Sequence, residues 1–274
     1  MKKNYIEITC KDDTSVNVTD VKIPEGTKNI IDFAFYKCKS LETIIIPDSV
    51  TSIGSSAFYG CENLKNIVIP DSVTSIGVSV FSGCENLKSV TISNSVTSIE
   101  SHTFEGCKSL ETVTIPDSVT TLGIYAFEEC INIKTVIIPH NVTSIENGVF
   151  KECKSLKDII IPNSVTTIGS SAFYGCENLK NIVIPDSVTS IESYTFERCK
   201  SLESVAIPNS VTYIGNSAFY GCENLKNVVI PDSVTSIESY TFEGCKSLKD
   251  IIIPNSVTFI GNLAFPKTCK IIIK

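Results

Sequence analysis

Apolar side chains return along this chain with one fixed spacing. From Leu64 they fall at Leu64, Ile67 and Ile69, then at Val73, Ile76, Val80, Phe81 and Cys84, and Leu87 starts the series again. The block is 23 residues long and recurs nearly unbroken from about Val18 to the last residue. Pro24, Pro47, Pro70, Pro116, Pro139, Pro162, Pro185, Pro208, Pro231 and Pro254 mark it, and Ser93 fills the one place where proline is missing. The alternation Ile67-x-Ile69 predicts a strand with one buried face. Pro70 has no N–H and ends that strand. Asp71-Ser72 predicts a turn whose side chains bond nearby backbone, and Val73 and Ile76 carry the chain across the body. The segment Ser56-Ala57-Phe58-Tyr59-Gly60-Cys61 is too short for a stable isolated helix. It is expected to form a single helical or 3-10 turn, ended by glycine in many copies.

A fixed period of this length is the signature of a solenoid, in which each coil stacks only on its neighbours. That overrides the one or two globular domains that the length alone suggests. The expected organisation is an N-terminal capping strand within residues 1–17, where Tyr5 to Thr9 alternates weakly, and a solenoid of about eleven units over residues 18–274. The end, Ile271-Ile272-Ile273-Lys274, carries no polar capping unit, so self-association through that edge is an expected possibility.

The motif Leu-x-x-Ile-x-Ile-Pro-x-x-Val-x-x-Ile-x-x-x-Ala-Phe-x-x-Cys closely resembles the BspA-like (Treponema pallidum-type) leucine-rich repeat family, over about 250 of the 274 residues. Departures are few: Ser93 for proline, Ile133 for leucine, and Thr103, Thr195 and Thr241 for alanine. The resemblance implies an α/β repeat protein, a right-handed leucine-rich-repeat solenoid. It would have a parallel β-sheet on its concave face and short helical or 3-10 turns on its convex face. It further implies non-enzymatic protein recognition, typically by surface adhesins of bacteria or parasitic protists, and hence a cell-surface or secreted location. No secretory signal is visible in the first residues, Met1 to Ile8. An intracellular scaffold in the cytoplasm is therefore the alternative.

Within the strand, two positions per coil face outward. One column reads Thr43, Asn66, Ser89, Thr112, Thr135, Asp158, Asn181, Ser204, Asn227, Asp250. The other holds Val68, Thr91, Thr114, Ile137, Ile160, Val183, Val229 and Ile252, with Ile45 and Ala206 in the same register. This second column is an apolar, β-branched stripe, and contiguous exposed apolar surface marks interaction sites. β-branched residues also favour strands in their own right. The stripe is the candidate surface for a protein ligand, with Thr91 and Thr114 interrupting it.

Charge alters this picture little. The chain has 23 basic and 30 acidic residues, net −7, with the signs interspersed, which argues against a nucleic-acid footprint or a polybasic membrane patch. No run approaches the ~18 apolar residues of a membrane span, so no membrane insertion is expected. A weaker 46-residue period alternates charge down the columns: Lys154, Glu177, Lys200, Glu223, Lys246 follow cysteine, and Asn163, Asp186, Asn209, Asp232, Asn255 follow proline. Stacked like charges would repel, so the alternation reads as structural. The run Ile53–Ile76 recurs unchanged as Ile168–Ile191, showing one surface patch twice.

Of twelve cysteines, ten, from Cys38 and Cys61 to Cys245, hold one place in the repeat. They predict an inward column of free thiols, because parallel side chains on stacked coils are wrongly oriented for disulfides. Cys10 and Cys269 fall outside the column. No cofactor or metal is expected: single thiols in a column with only His102 and His140 supply no tetrahedral cluster. His102 falls in the turn segment and His140 follows Pro139, and both read as solvated substitutions. No phosphate loop or calcium β-roll repeat occurs. Asn17-Val18-Thr19 and Asn141-Val142-Thr143 fit the glycosylation acceptor pattern.

Overall fold

Each coil lays down two short parallel strands and then returns through a run of turns. In Asn66–Val68 the outer residues are exposed and Ile67 is buried, as the alternation requires. The Val73 amide then donates to the Pro70 carbonyl at 3.0 Å, which reverses the chain into the two-residue strand Ser75–Ile76. The computed structural model describes residues 18–274 together with the strand Tyr5–Ile6. The rest of the expected capping segment, residues 1–17, lies outside the described residues. Tyr5–Ile6 itself runs parallel to Asn29–Ile30.

Eight of the longer strands, from Asn66–Val68 to Asn227–Val229, form one all-parallel sheet. Its register advances one repeat per rung, with Asn66 opposite Ser89 and Val68 opposite Thr91. Strand pairs extend it at both ends: Asp20–Lys22 with Thr43–Ile45, and Asp250–Ile253 with Lys270–Ile273. The shorter strands form three separate four-stranded ladders on the adjoining side.

Inside, the coils lie in register. Phe35 to Phe265 stack ring on ring at centroid spacings of 5.1–5.7 Å. Phe58, Phe81 and Phe104 thus share one environment, as the period demands. Ser93 substitutes for proline by imitation: it is buried, and its hydroxyl and carbonyl accept the amides of Ser95 and Val96.

The helical or 3-10 turns expected opposite the sheet do not form. Among the described residues there is no helix, and the segment is a chain of successive turns. The reason lies in the amides. Ser56, Phe58 and Gly60 donate to Val78, Val80 and Ser82 of the next coil at 2.8, 2.9 and 2.7 Å. Between them, Ala57, Tyr59 and Cys61 bond back to Gly54, Ser56 and Phe58. A helix would direct every amide within its own coil and leave neighbouring turns unjoined. Alternation needs left-handed residues, and Ser56 (φ 52°) and Gly60 (φ 68°) supply them.

The serine after the proline turn also acts across coils rather than locally. Ser118, Ser164, Ser187, Ser210 and Ser233 donate to Val96, Val142, Val165, Val188 and Val211 of the preceding coil at 2.5–2.7 Å. The local amide is already satisfied by the proline carbonyl, so the hydroxyl is free to bridge.

The 46-residue period has a backbone origin too. At Gly77 a Cβ would lie 2.5 Å from the Ser55 nitrogen, and the close approach lets the Gly77 amide donate to Ile53 at 2.9 Å. Glu238, at the equivalent place, makes the same bond at 3.4 Å. Two ladder breaks, between Ser75–Ile76 and Ser98–Ile99 and between Thr167–Ile168 and Ser190–Ile191, come on entering glutamate-bearing coils. Three such coils carry threonine for alanine. Thr103, Thr195 and Thr241 donate to the carbonyls of Glu100, Glu192 and Glu238 at 2.6–2.7 Å, which ties the looser turn.

Candidate protein-recognition face

The outward face of the long sheet is built by strand alternation alone, since every second side chain of each strand must point away from the core. The candidate column falls where its period puts it. Val68, Thr91, Thr114, Ile137, Ile160, Val183, Val229 and Ile252 are all exposed. Ile137, Ile160 and Val183 are 79%, 78% and 73% exposed and Val229 is 73%, whereas their strand neighbours Val136, Ile159 and Ile182 are buried. Aliphatic side chains this open form a contiguous apolar surface on the sheet. Thr91 and Thr114 pair directly in the sheet and divide the column into two apolar runs. A shallow hollow of about 560 Å³ lies beside the first, lined by Ile45, Val68, Thr91, Asp48 and Asp71.

The polar column alongside is tied rung to rung by its side chains. Ser89 donates to Asn66 at 2.8 Å, and the Thr43 hydroxyl donates to Asp20. Thr43, then Thr19, hold the Asp20 carboxyl below its ordinary range.

A further column, which sequence reading passed over, borders the face just before each strand: Glu42, Lys65, Lys88, Glu111, Lys134, Lys157, Lys180, Glu203, Lys226, Lys249. Its signal was present, as the residue following the repeat leucine. Lys134 pairs with Glu111 at 2.9 Å and Lys226 with Glu203 at 3.4 Å, and Lys65 pairs with Glu42. Glu111 is held below the ordinary carboxylate range by its bond to Lys134. The column after cysteine pairs too, as charge alternation requires: Lys108–Glu85 at 2.7 Å, Lys200–Glu177 at 3.1 Å and Lys246–Glu223 at 2.9 Å. Lys154 instead pairs with Glu152 in its own coil.

The cysteine column offers no nucleophile. Cys61 to Cys245 are buried free thiols, and each donates to a phenylalanine carbonyl one coil back, as Cys84 does to Phe58 at 3.2 Å. Burial pushes the Cys61 thiol up to about 12, so the reactive thiolate is absent at neutral pH. Cys38 departs from the expected column of free thiols. It is disulfide-bonded, and its partner lies outside the described residues because the other described cysteines are free.

One group of possible metal ligands also escaped the sequence reading, because its members sit three residues and one coil apart. His102, Glu105 and Glu128 bring ligand atoms within 4.8 Å of one another. His102 Nδ1 lies 3.0 Å from Glu105. Glu128 already accepts a bond from the Lys151 ammonium at 2.7 Å, and that ammonium lies over the Tyr125 and Tyr174 rings. A fixed cation there opposes a second one. His140 is exposed. Among the described residues no helix is long and apolar enough to cross a membrane.

Comparison with known proteins agrees with this architecture. The family model described as BspA type leucine rich repeat region, in six copies, matches residues 12–134, 79–196 and 166–273. A leucine-rich repeat protein from Bacteroides ovatus superposes with a TM-score of 0.71 at 29% identity, over 94% of this chain and 84% of that one. A leucine rich cell surface protein from Faecalibacterium prausnitzii is 32% identical over 90% of this chain and 81% of that one, with a TM-score of 0.52. The pneumococcal vaccine antigen PcpA, at 23% identity and a TM-score of 0.60 over 93% of this chain and 79% of that one, shares the fold. No curated protein matches the chain. Leucine-rich repeats are in general non-enzymatic modules for protein interaction, and nothing in this surface points to catalysis. With its period, its stacked phenylalanines and its parallel sheet all in that pattern, this chain belongs to the BspA type leucine-rich repeat family.

Proposed function

We propose that this chain is a non-enzymatic recognition module that binds a protein ligand across the outward face of its long sheet, as a cell-surface adhesin or surface antigen. One observation carries the reading: Ile137, Ile160 and Val183 stand on consecutive rungs of one column and are 73–79% exposed. Isolated exposed aliphatics need no explanation, but a contiguous column of them does. The surface location draws support from the Faecalibacterium prausnitzii relative, which is described as a cell surface protein.

Two experiments test it. Immobilised chain and its Ile137→Lys/Ile160→Lys variant are compared for the proteins each captures from one extract, and the variant is expected to lose the specific partner. Equal recovery rejects the face as the binding surface. Antibody staining of intact against permeabilised cells is expected to show the protein outside, and signal only after permeabilisation rejects the adhesin reading.

A further inference from the structure

We propose that the three middle coils bearing Lys134, Lys157 and Lys180 receive an amphipathic helix of the partner protein, with its apolar face on Ile137, Ile160 and Val183 and acidic residues along one edge. The proposal deepens the reading of the long sheet as a protein-binding face and rests on it.

Three observations converge on these coils. The bordering column is elsewhere interrupted by glutamate, but here three lysines follow one another without a break. Their backbones are stacked directly, the Lys157 amide donating to Lys134 at 3.1 Å and the Lys180 amide to Lys157 at 3.2 Å. Lys134 has its partner in Glu111, while Lys157 and Lys180 form no ion pair among the described residues. Asp158 lies on the face between Lys157 and Ile160 and bonds neither lysine within ion-pair distance. Like charges on adjacent rungs repel, as they do in the acidic runs Glu25, Asp48, Asp71 and Glu62, Glu85 of other columns, and this is the one run of three lysines in the bordering column. The run is costly in the free protein and favourable once acidic groups arrive.

Those coils also carry the most exposed aliphatics, Ile137 and Ile160, which pair directly across the sheet. Charge and apolar surface therefore lie side by side over one stretch of the molecule. Elsewhere the pairing is shorter: Thr91 and Thr114 replace the aliphatic beside Lys88 and Glu111, Glu203 and Ala206 interrupt the coil after that of Val183, and Lys226–Val229 and Lys249–Ile252 span two coils.

The spacing selects the shape of the partner. Rungs repeat every ~4.8 Å. Helix positions i, i+3 and i+7 advance about 4.5 and 10.5 Å, close to the second and third rungs. An extended segment advances roughly 6.6–6.8 Å for each pair of residues facing the same way and falls out of step within two rungs. A helix lying across the strands meets each rung in turn.

The probe is a library of helix-constrained peptides randomised on one face and panned against the full chain. Expected is enrichment of Leu, Ile or Phe at i, i+3 and i+7 with Asp or Glu along one adjoining edge. Selected peptides should bind the Lys157→Ser/Lys180→Ser variant roughly tenfold or more weakly, weaken with salt on the parent chain, and lose most of that salt dependence on the variant. Failure to enrich acidic residues, equal binding to the lysine variant, or no binders at all overturns the proposal. The triple variant Ile137→Ser/Ile160→Ser/Val183→Ser separates the two readings. If peptides lose binding there but not on the lysine variant, the acidic helix is wrong while the binding face stands. If they bind both variants as well as the parent chain, the peptides lie elsewhere and both readings fail. Each variant's thermal melt confirms its folding.

Discussion

The Cys130 thiol donates to the Phe104 carbonyl of the preceding coil at 3.2 Å, and the same carbonyl accepts the amide of Cys107 in its own coil at 3.1 Å. One carbonyl thus closes a turn and ties two coils together. The thiol is the right size for the gap and gives a second lone pair a donor. Cys130→Ala removes the donor and leaves a small void, at a cost of about 1–3 kcal/mol. The thermal melt of that variant is expected to fall by several degrees. An unchanged melt would mean that the thiol merely fills space.

The same burial sets a pH limit. Cys61 and Cys245 are pushed up to about 12 by desolvation, against an ordinary value of 9.0. Above pH ~9 the unfolded chain releases thiol protons that the folded chain keeps, so stability falls as pH rises, and it does so until the folded value is reached. Below pH 9 the contribution is fully present. Each column thiol is expected to contribute a slope of about 1.4 kcal/mol per pH unit in that window. Melts from pH 8 to 11 of the parent and of a Cys61→Ala/Cys245→Ala variant measure it by difference, which removes the lysine and tyrosine titrations common to both. Parallel curves would contradict the shift.

Charge alternation down the column after cysteine has a measurable size. Lys200–Glu177 and Lys246–Glu223, at 3.1 and 2.9 Å, are largely exposed pairs, worth about 0.2–1 kcal/mol each. Lys200→Glu/Lys246→Glu also replaces attraction with repulsion. Its melt is expected to fall by a few degrees at low salt and to recover much of that loss at 1 M salt, where screening acts within about 3 Å. No difference at low salt would show that the alternation carries no structural weight.

Much of this molecule is written in its period. The spacing of Leu64, Ile67, Ile69 and Phe81 predicts a stacked parallel sheet and a phenylalanine column, and both are present. Strand alternation places Val68 through Ile252 on the outside because a period of two allows no other side. The turn segment was less legible. Ser56 to Cys61 fits a helical turn as well as the observed turns, and what decides between them is where the Phe58 amide finds its acceptor, in the neighbouring coil. A single coil's sequence does not contain that choice. The serine bridges from Ser118 onward were hidden in the same way, because a serine beside a proline turn suggests a local bond first. The His102, Glu105 and Glu128 group joins residues of two coils, and Cys38 is disulfide-bonded where the period implied a free thiol. The buried columns were readable from the period, whereas contacts that depend on which groups of two coils meet, including the lysine–glutamate pairs before each strand, were not.

Hydroxyl-radical footprinting of the side chains tests the binding face most directly. The free chain is compared with the chain bound to a partner that the Ile137→Lys/Ile160→Lys variant fails to capture. Oxidation of Ile137, Ile160 and Val183 should fall on binding, while Tyr194 and Tyr240, exposed on the turn side, should be oxidised as before. Protection of the two tyrosines with the aliphatic column still open would contradict the account.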